Sequence, residues 1–499
     1  MVLAARWQRE RPPARRDVGP RSCPRAAACR AARTARCGAQ GRRGAHGARC
    51  GGSPAGRGRS ADVLTGQPTE EGPVSLLSPA EPGARRPPPD PGAIDAVLDR
   101  RAVHAVFQPI VELTTGRTVG YEALARGPQG GPLAAPAALF AAATAAGRLA
   151  ELDWVCRAAA LRAAARELHP ATALFLNAEP AALGAPCPAD LEAEVAASSQ
   201  GRRVVIELTE RALTADPHAV LSAVRDARRF GWTVALDDVG ADPASLAMLP
   251  FVRPEVIKLD MALIQGRTTG YVARVVTAVL AHAERTGATV LAEGVEDDAH
   301  LELARSIGAS LGQGWAFGRP GPLPSEASSP APTLPVLPRP TETDHGSAFA
   351  LAASVRTPRL ATKRTPLAFS HQLEQRALDV TDEPVLLSCF QSAERFTEAT
   401  VSRYARLADR CALVVALGRG VALEPAPGVR GGPLAADDPL VDEWTVVVVT
   451  PHFAAALIAR DLGDDGPELD RRFEHVITHD RDLVERAATI LLARVPRSI

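Results

Sequence analysis

The sequence predicts an α/β protein with a (β/α)8 barrel at its centre, and three features of residues 92–320 predict it. Short apolar runs close repeatedly on a carboxylate, an amide or a lysine, and alanine-rich stretches of helical length lie between them. Gly231, Gly287 and Gly308 follow helical stretches, where an αβ loop needs a left-handed cap. Alternation of this kind argues for parallel strands. In a barrel of such strands the functional side chains gather at the C-terminal strand ends.

Taken in order, Glu122 follows Val119-Gly120-Tyr121, Asn177 follows Ala173-Leu174-Phe175-Leu176, and Glu207 follows Val204-Val205-Ile206. Asp237 and Asp238 follow Val234-Ala235-Leu236, Lys258 follows Val256-Ile257, Glu293 follows Val290-Leu291-Ala292, and Gln313 opens Gln313-Gly314-Trp315. Helices are expected over Ala137 to Ala146, Trp154 to Glu167, Val220 to Arg229 and Tyr271 to Arg285. Each polar strand end has a plain reading alone. Glu210 suits a helix start, Asp237-Asp238 a turn before Gly240, and Glu293 and Glu296 a cap. Together they converge, and neighbouring carboxylates repel unless a cation or a proton compensates them. Oxygen donors suit Mg²⁺ or Mn²⁺. Two such ions about 3.5–4 Å apart would clamp an in-line phosphoryl displacement. Arginine replaces lysine everywhere except Lys258 and Lys363. A compact ammonium among carboxylates differs from a planar guanidinium, which gives Lys258 weight.

The 499 residues leave room for more than one domain. Residues 1–91 are rich in Arg, Ala, Gly and Pro and poor in large apolar side chains, as expected of a disordered segment. Residues 321–360 read as a Pro/Ser-rich linker. Residues 361–499 read as a smaller α/β unit, with strands at Val385-Leu386-Leu387, Leu413 to Leu417 and Trp444 to Val449. Its helices are expected around Phe396 to Leu407, Ala454 to Asp461 and Leu483 to Val495. His452, His475 and His479 are read as packing or surface residues. Formal charge balances to zero, so nothing global points to DNA or an anionic membrane. The eight cysteines make no Cys-x-x-Cys pair, and no apolar run reaches the roughly 18–20 residues of a membrane span. The expectation is a cytoplasmic chain.

At this point the residues carry a resemblance. Glu122-Ala123-Leu124-Ala125-Arg126 resembles the signature of the EAL-type cyclic di-GMP phosphodiesterases of bacteria. Phe107-Gln108-Pro109-Ile110, Asn177, Glu207-Leu208-Thr209-Glu210, Asp237-Asp238, Lys258-Leu259-Asp260, Ala292 to Glu296 and Gly312 to Trp315 follow in family order, over roughly 92–320. The resemblance implies hydrolysis of cyclic di-GMP to linear pGpG on a barrel with one antiparallel strand, with two Mg²⁺ or Mn²⁺ ions. It implies that Glu122, Asn177, Glu207 and Asp237 hold one ion, and that Asp237, Asp238 and Glu293 hold the other. Glu293 is the implied general base, Lys258 would touch the attacking water, and Glu296 and Gln313 would support the site. Gln108, Leu124, Arg126 and Asp260 would contact the nucleotide.

One block departs from the family's usual Asp-Asp-Phe-Gly-Thr-Gly-Tyr. Here Val239, Ala241, Asp242 and Pro243 replace the Phe, Thr, second Gly and Tyr. In the family this loop, tethered by a glutamate matching Glu210, leads to a homodimer interface. The change puts loop-mediated activation in doubt and keeps a second reading open, a cyclic di-GMP receptor without turnover. Residues after the linker resemble, more loosely, the DICT sensory domain, through Leu386 to Phe390, Trp444 to Thr450 and Phe453 to Arg460. That resemblance implies regulation of the barrel by a signal it does not identify.

Overall fold

A computed structural model describes residues 91–179, 184–209, 216–328 and 346–496, with the single positions 182 and 334. The expected disordered segment, apart from Pro91, and Glu210 lie outside the described residues. After α1 (Pro91–Asp99) come β1 (His104–Glu112), β2 (Thr118–Arg126), α2 (Pro136–Ala145), α3 (Leu149–Glu167), β3 (Ala173–Ala178), α4 (Ala189–Ser199) and β4 (Arg203–Thr209). The chain continues with α5 (Pro217–Arg229), β5 (Thr233–Val239), a 3₁₀ helix (Pro243–Met248), α6 (Leu249–Val252) and β6 (Val256–Leu259). Then follow α7 (Met261–Gln265), α8 (Gly270–Thr286), β7 (Thr289–Ala292), α9 (Asp298–Ser306) and β8 (Leu311–Gln313). The eight strands close into a barrel, with β1 antiparallel to both neighbours, β2 and β8, and every other pair parallel. The four expected helices form, within a few residues of their expected ends.

Local chemistry starts these helices. Asp216, Thr269 and Asp297 each accept a hydrogen bond from a backbone N–H in the first turn of α5, α8 and α9, satisfying donors a helix start leaves orphaned. Inside the barrel, Ile110, Phe175, Val205, Ala235, Val256, Leu291 and Leu311 form a separate buried plug. Side chains alternate along a strand, so the residue two positions on shares the same face. That rule carries the site.

The second unit consists of α10 (Ala348–Val355), β9 (Arg359–Thr362), α11 (Arg364–Asp379), β10 (Val385–Ser392), α12 (Glu398–Ala408), β11 (Leu413–Arg419) and β12 (Arg430–Pro433). It ends with β13 (Glu443–Val449), β14 (Ala454–Asp461), β15 (Arg472–Thr478) and α13 (Arg481–Leu492). The strands form one sheet in the order β12-β11-β10-β13-β14-β15-β9. Val385, Leu387 and Cys389 pack on one face with α10 and α13, while Leu386 and Phe390 pack on the other with α11 and α12.

Two expectations fail here. Ala454 to Asp461 is a strand, not a helix. Ala454, Ala456 and Ile458 meet one core, and Ala455, Leu457 and Ala459 meet the other. A strand buried on both faces shows no alternation, and its small alanines fit between two helical layers, so local propensity misleads. The stretch read as linker also contains α10, which Ser347 caps and which buries Ala348, Phe349, Leu351 and Ala352. Its Pro/Ser-rich surroundings hid it.

Candidate active site

Six polar strand ends of the barrel stand two residues beyond a plug residue. Asn177 follows Phe175, Glu207 follows Val205, Asp237 follows Ala235, Lys258 follows Val256, Glu293 follows Leu291 and Gln313 follows Leu311. On antiparallel β1 the order reverses, and Gln108 precedes Ile110, directly opposite Glu122 of β2. The ring is therefore one layer above the plug, at the C-terminal strand ends.

Lys258, 1 % exposed, holds the centre. Its Nζ lies 2.7 Å from Glu207, 2.7 Å from Asp237, 2.8 Å from Glu293 and 3.9 Å from Glu122. Asn177 Nδ2 donates to Glu122 Oε1 at 2.8 Å, and Gln313 Nε2 donates to the other oxygen at 2.6 Å. Gln313 also reaches Gln108 Oε1 at 3.3 Å, and Gln108 donates to the Gly318 carbonyl at 3.2 Å.

Asp238 joins this group through a backbone device. The pairing of β5 with β6 slips between Leu236 and Val239, and Asp238 takes φ 58°, in the left-handed region that few side chains tolerate. The bulge breaks strict alternation at consecutive aspartates. Asp237, Asp238 and Glu293 consequently each offer an oxygen within 4.8 Å of the others. Gly240 (φ 104°) follows because a Cβ there would stand 2.5 Å from Leu263. Its carbonyl accepts the Tyr271 hydroxyl at 2.7 Å.

The electrostatics match. Burial opposes the Lys258 charge, but Asp237, Glu122, Glu207 and Glu293 outweigh it and raise its pKa well above the usual value. Burial also opposes ionisation of Glu122, yet Lys258, Gln313 and Asn177 bring its pKa below normal. For Glu207 burial wins, with Glu122 and Asp237 adding to it, and its pKa rises far above a carboxylate's. Glu293 is pushed up to about 8, mainly by burial. Glu207 Oε2 is buried without a hydrogen-bond partner, as is Gln313 Oε1. Unsatisfied buried oxygens with a single ammonium between several carboxylates are costly unless a proton or another cation compensates them. The donors fit a hard divalent cation.

Other expected residues stand outside this cluster. Asp260 caps α7, accepting from Ala262 N at 2.7 Å, and Glu296 is exposed and not among the contacts of Lys258. Leu124 and Arg126 line a cavity of ≈ 260 Å³ beside Asn177, and Arg126 donates to the Ala125 carbonyl at 2.8 Å. Asp153 and Arg157, unremarked in the sequence, line the same cavity. Asp153 accepts from the Glu179 amide at 3.1 Å, just past Asn177, and ion-pairs with Arg157. Their i,i+4 spacing on α3 was the available signal. In the second unit His475 is buried, and among the described residues no histidine joins a group that could hold a metal.

Comparison with known proteins agrees in sequence. The family model for the EAL domain matches residues 93–320, and that for the "Sensory domain in DIguanylate Cyclases and Two-component system", DICT, matches residues 347–462. Among curated proteins, the chain is 31% identical over 245 residues to cyclic di-GMP phosphodiesterase RocR of Pseudomonas aeruginosa, covering 46% of this chain and 61% of that one. It is 27% identical to the probable cyclic di-GMP phosphodiesterase PdeB of Escherichia coli, covering 46% of this chain and 44% of that one. The match to an uncharacterized protein of Azorhizobium caulinodans spans 33% of that relative's length. A solved structure of Klebsiella pneumoniae BlrP1, a manganese/cy-diGMP complex, aligns with TM-score 0.39 at 30% identity, covering 44% of this chain and 56% of that one. No helix among the described residues is long and apolar enough to cross a membrane.

Proposed function

The chain carries an EAL domain over residues 93–320 and a DICT domain over residues 347–462, and from that premise we propose that it hydrolyses cyclic di-GMP to pGpG under control of its C-terminal domain. The observation that carries this reading is the buried carboxylate ring around Lys258, with its unsatisfied oxygens. Glu122, Asn177, Glu207 and Asp237 would hold one divalent ion, Mg²⁺ or Mn²⁺, and Asp237, Asp238 and Glu293 a second. Such ions supply an activated water near neutral pH and offset charge on a phosphodiester.

The chain's own groups do the rest. Glu293 takes the proton of the attacking water as its oxygen bonds to phosphorus. The P–O3′ bond breaks, the leaving oxygen is protonated, and the product keeps a 5′-phosphate. Lys258 stabilises negative charge as it builds on the phosphoryl oxygens. Gln313 and Asn177 fix Glu122 by its two oxygens. Arg126 can present its guanidinium fork to a phosphodiester, with Gln108, Leu124 and Asp260 as the further nucleotide contacts and Glu296 supporting from the rim.

Incubation of the full chain with Mn²⁺ or Mg²⁺ and cyclic di-GMP is expected to yield pGpG, identified by chromatography. Binding with no turnover in either metal overturns the enzymatic reading and leaves a cyclic di-GMP receptor.

A further inference from the structure

A larger cavity, of ≈ 860 Å³, lies outside the barrel wall between α4 and α5. Its floor includes Ile206 and Leu208 of β4, which alternate with Val205 and Glu207 and so face away from the plug and the ring. The sequence leaves this space open. Where α4 and α5 line it they present Ala193, Ala196, Ala223 and Ala227, side chains too short to close the gap. Aromatic rings supply the side walls. Trp154 of α3 and Trp232, just before β5, line the cavity, and Phe230 stacks on Trp232 with ring centroids 5.3 Å apart. Ligand sites commonly enclose about 300–1,000 Å³ of mostly apolar wall with a few placed polar groups.

The buried polar groups of this wall all want an acceptor. Arg157, 8 % exposed, lies 4.1 Å over the Trp154 ring and borders both this cavity and the smaller one beside Asn177. Its ion-pair partner Asp153 lines only the smaller cavity. Arg157 Nε is buried without a hydrogen-bond partner, and so is Trp232 Nε1. Trp154, by contrast, donates its indole N–H to the Ala185 carbonyl at 3.0 Å. Among the described residues of the lining, the unpartnered buried polar atoms are thus both donors. The acids of the lining do not answer them. Glu192 is exposed, and Asp226, its side chain 47% exposed, pairs with Arg229 at 3.4 Å. Two orphaned donors in apolar surroundings, one of them cationic, are complemented by an anionic oxygen.

We propose that this cavity is a second ligand site of the barrel, which takes a small carboxylic acid with a flat apolar body. The body lies between Trp154, Phe230 and Trp232, and the carboxylate pairs with Arg157. Neighbouring side chains cover Nε and Nε1, so the guanidinium and the indole turn toward the cavity as the acid binds. The site is separate from the carboxylate ring and does not rest on the phosphodiesterase reading.

The test titrates 2-naphthoate, and 2-naphthamide as its uncharged counterpart, into the full chain by calorimetry. Naphthoate is expected to bind about 10-fold more tightly than naphthamide, the margin of a charge-assisted contact over a neutral one. Arg157→Met is expected to erase that margin. Because it also strands Asp153, two milder variants accompany it. Ala196→Phe, at an exposed position of α4 in the lining, fills the space and should weaken naphthoate at least about 10-fold. Trp232→Phe keeps an aromatic ring, removes the Nε1 donor and should weaken naphthoate about 5-fold. Equal affinity for the two compounds, binding of neither, or unchanged naphthoate affinity in Ala196→Phe overturns the proposal.

Discussion

The barrel and the C-terminal sheet both bury glutamates, and they treat them oppositely. In the sheet domain Glu374, 1 % exposed, accepts from Arg403 at 2.5 Å, Tyr404 at 3.2 Å and Ser370 at 3.3 Å. Glu443, 2 % exposed, accepts from Ser347 and from the Phe349 amide at 3.1 Å. In the barrel Glu207 is equally buried, yet one of its oxygens has no hydrogen-bond partner and its neighbours include Glu122 and Asp237. A satisfied buried carboxylate fixes a fold. An unsatisfied one, among other acids, suits a cation.

Four experiments would break or sharpen that contrast. The largest effect is expected at Glu122, which two amides hold in place. Glu122→Ala should lower cyclic di-GMP turnover about 10³-fold with little change in the melting temperature; retained turnover would remove Glu122 from the site. Next is Glu374→Ala, which strands Arg403 and should cost about 3 kcal/mol in chemical denaturation, leaving Mn²⁺ affinity alone. Smaller again, Glu207→Gln relieves like-charge crowding and should raise the metal-free melting point by about 1 kcal/mol equivalent. The same variant should lose the stabilisation that Mn²⁺ gives the native protein; a fall in the metal-free melting point would place Glu207 with Glu374 as a structural acid.

The last concerns pH. Glu293 has a folded-state pKa of about 8 against an ordinary 4.5. Between those values the metal-free folded state holds a proton that the unfolded chain has lost, so stability falls as pH rises through that window. Mn²⁺ needs the ionised carboxylate, so its affinity should climb over the same range and release protons on binding. Thermal melts and metal titrations at pH 5, 6, 7 and 8 check both signs. A flat metal-free profile would mean that Glu293 is solvated rather than held in the ring.

The sequence alone determined the barrel, because apolar runs that each close on a polar residue recur with helical stretches between them, and that pattern needs no partner to be read. It also determined the identity of the ring, from Glu122 to Gln313, and the oxygen-rich donor chemistry. Only tertiary structure decided the rest. The bulge that turns Asp238 beside Asp237 depends on the slip between β5 and β6, which no local pattern encodes. Ala454 to Asp461 became a strand because two helical layers cover it, and burial on both faces erases alternation. Arg253 acquired its partners Asp482 and Glu485 more than a hundred residues away in the chain. Distance along the chain says nothing about such pairs, since their energy exists only once both domains are folded and in contact.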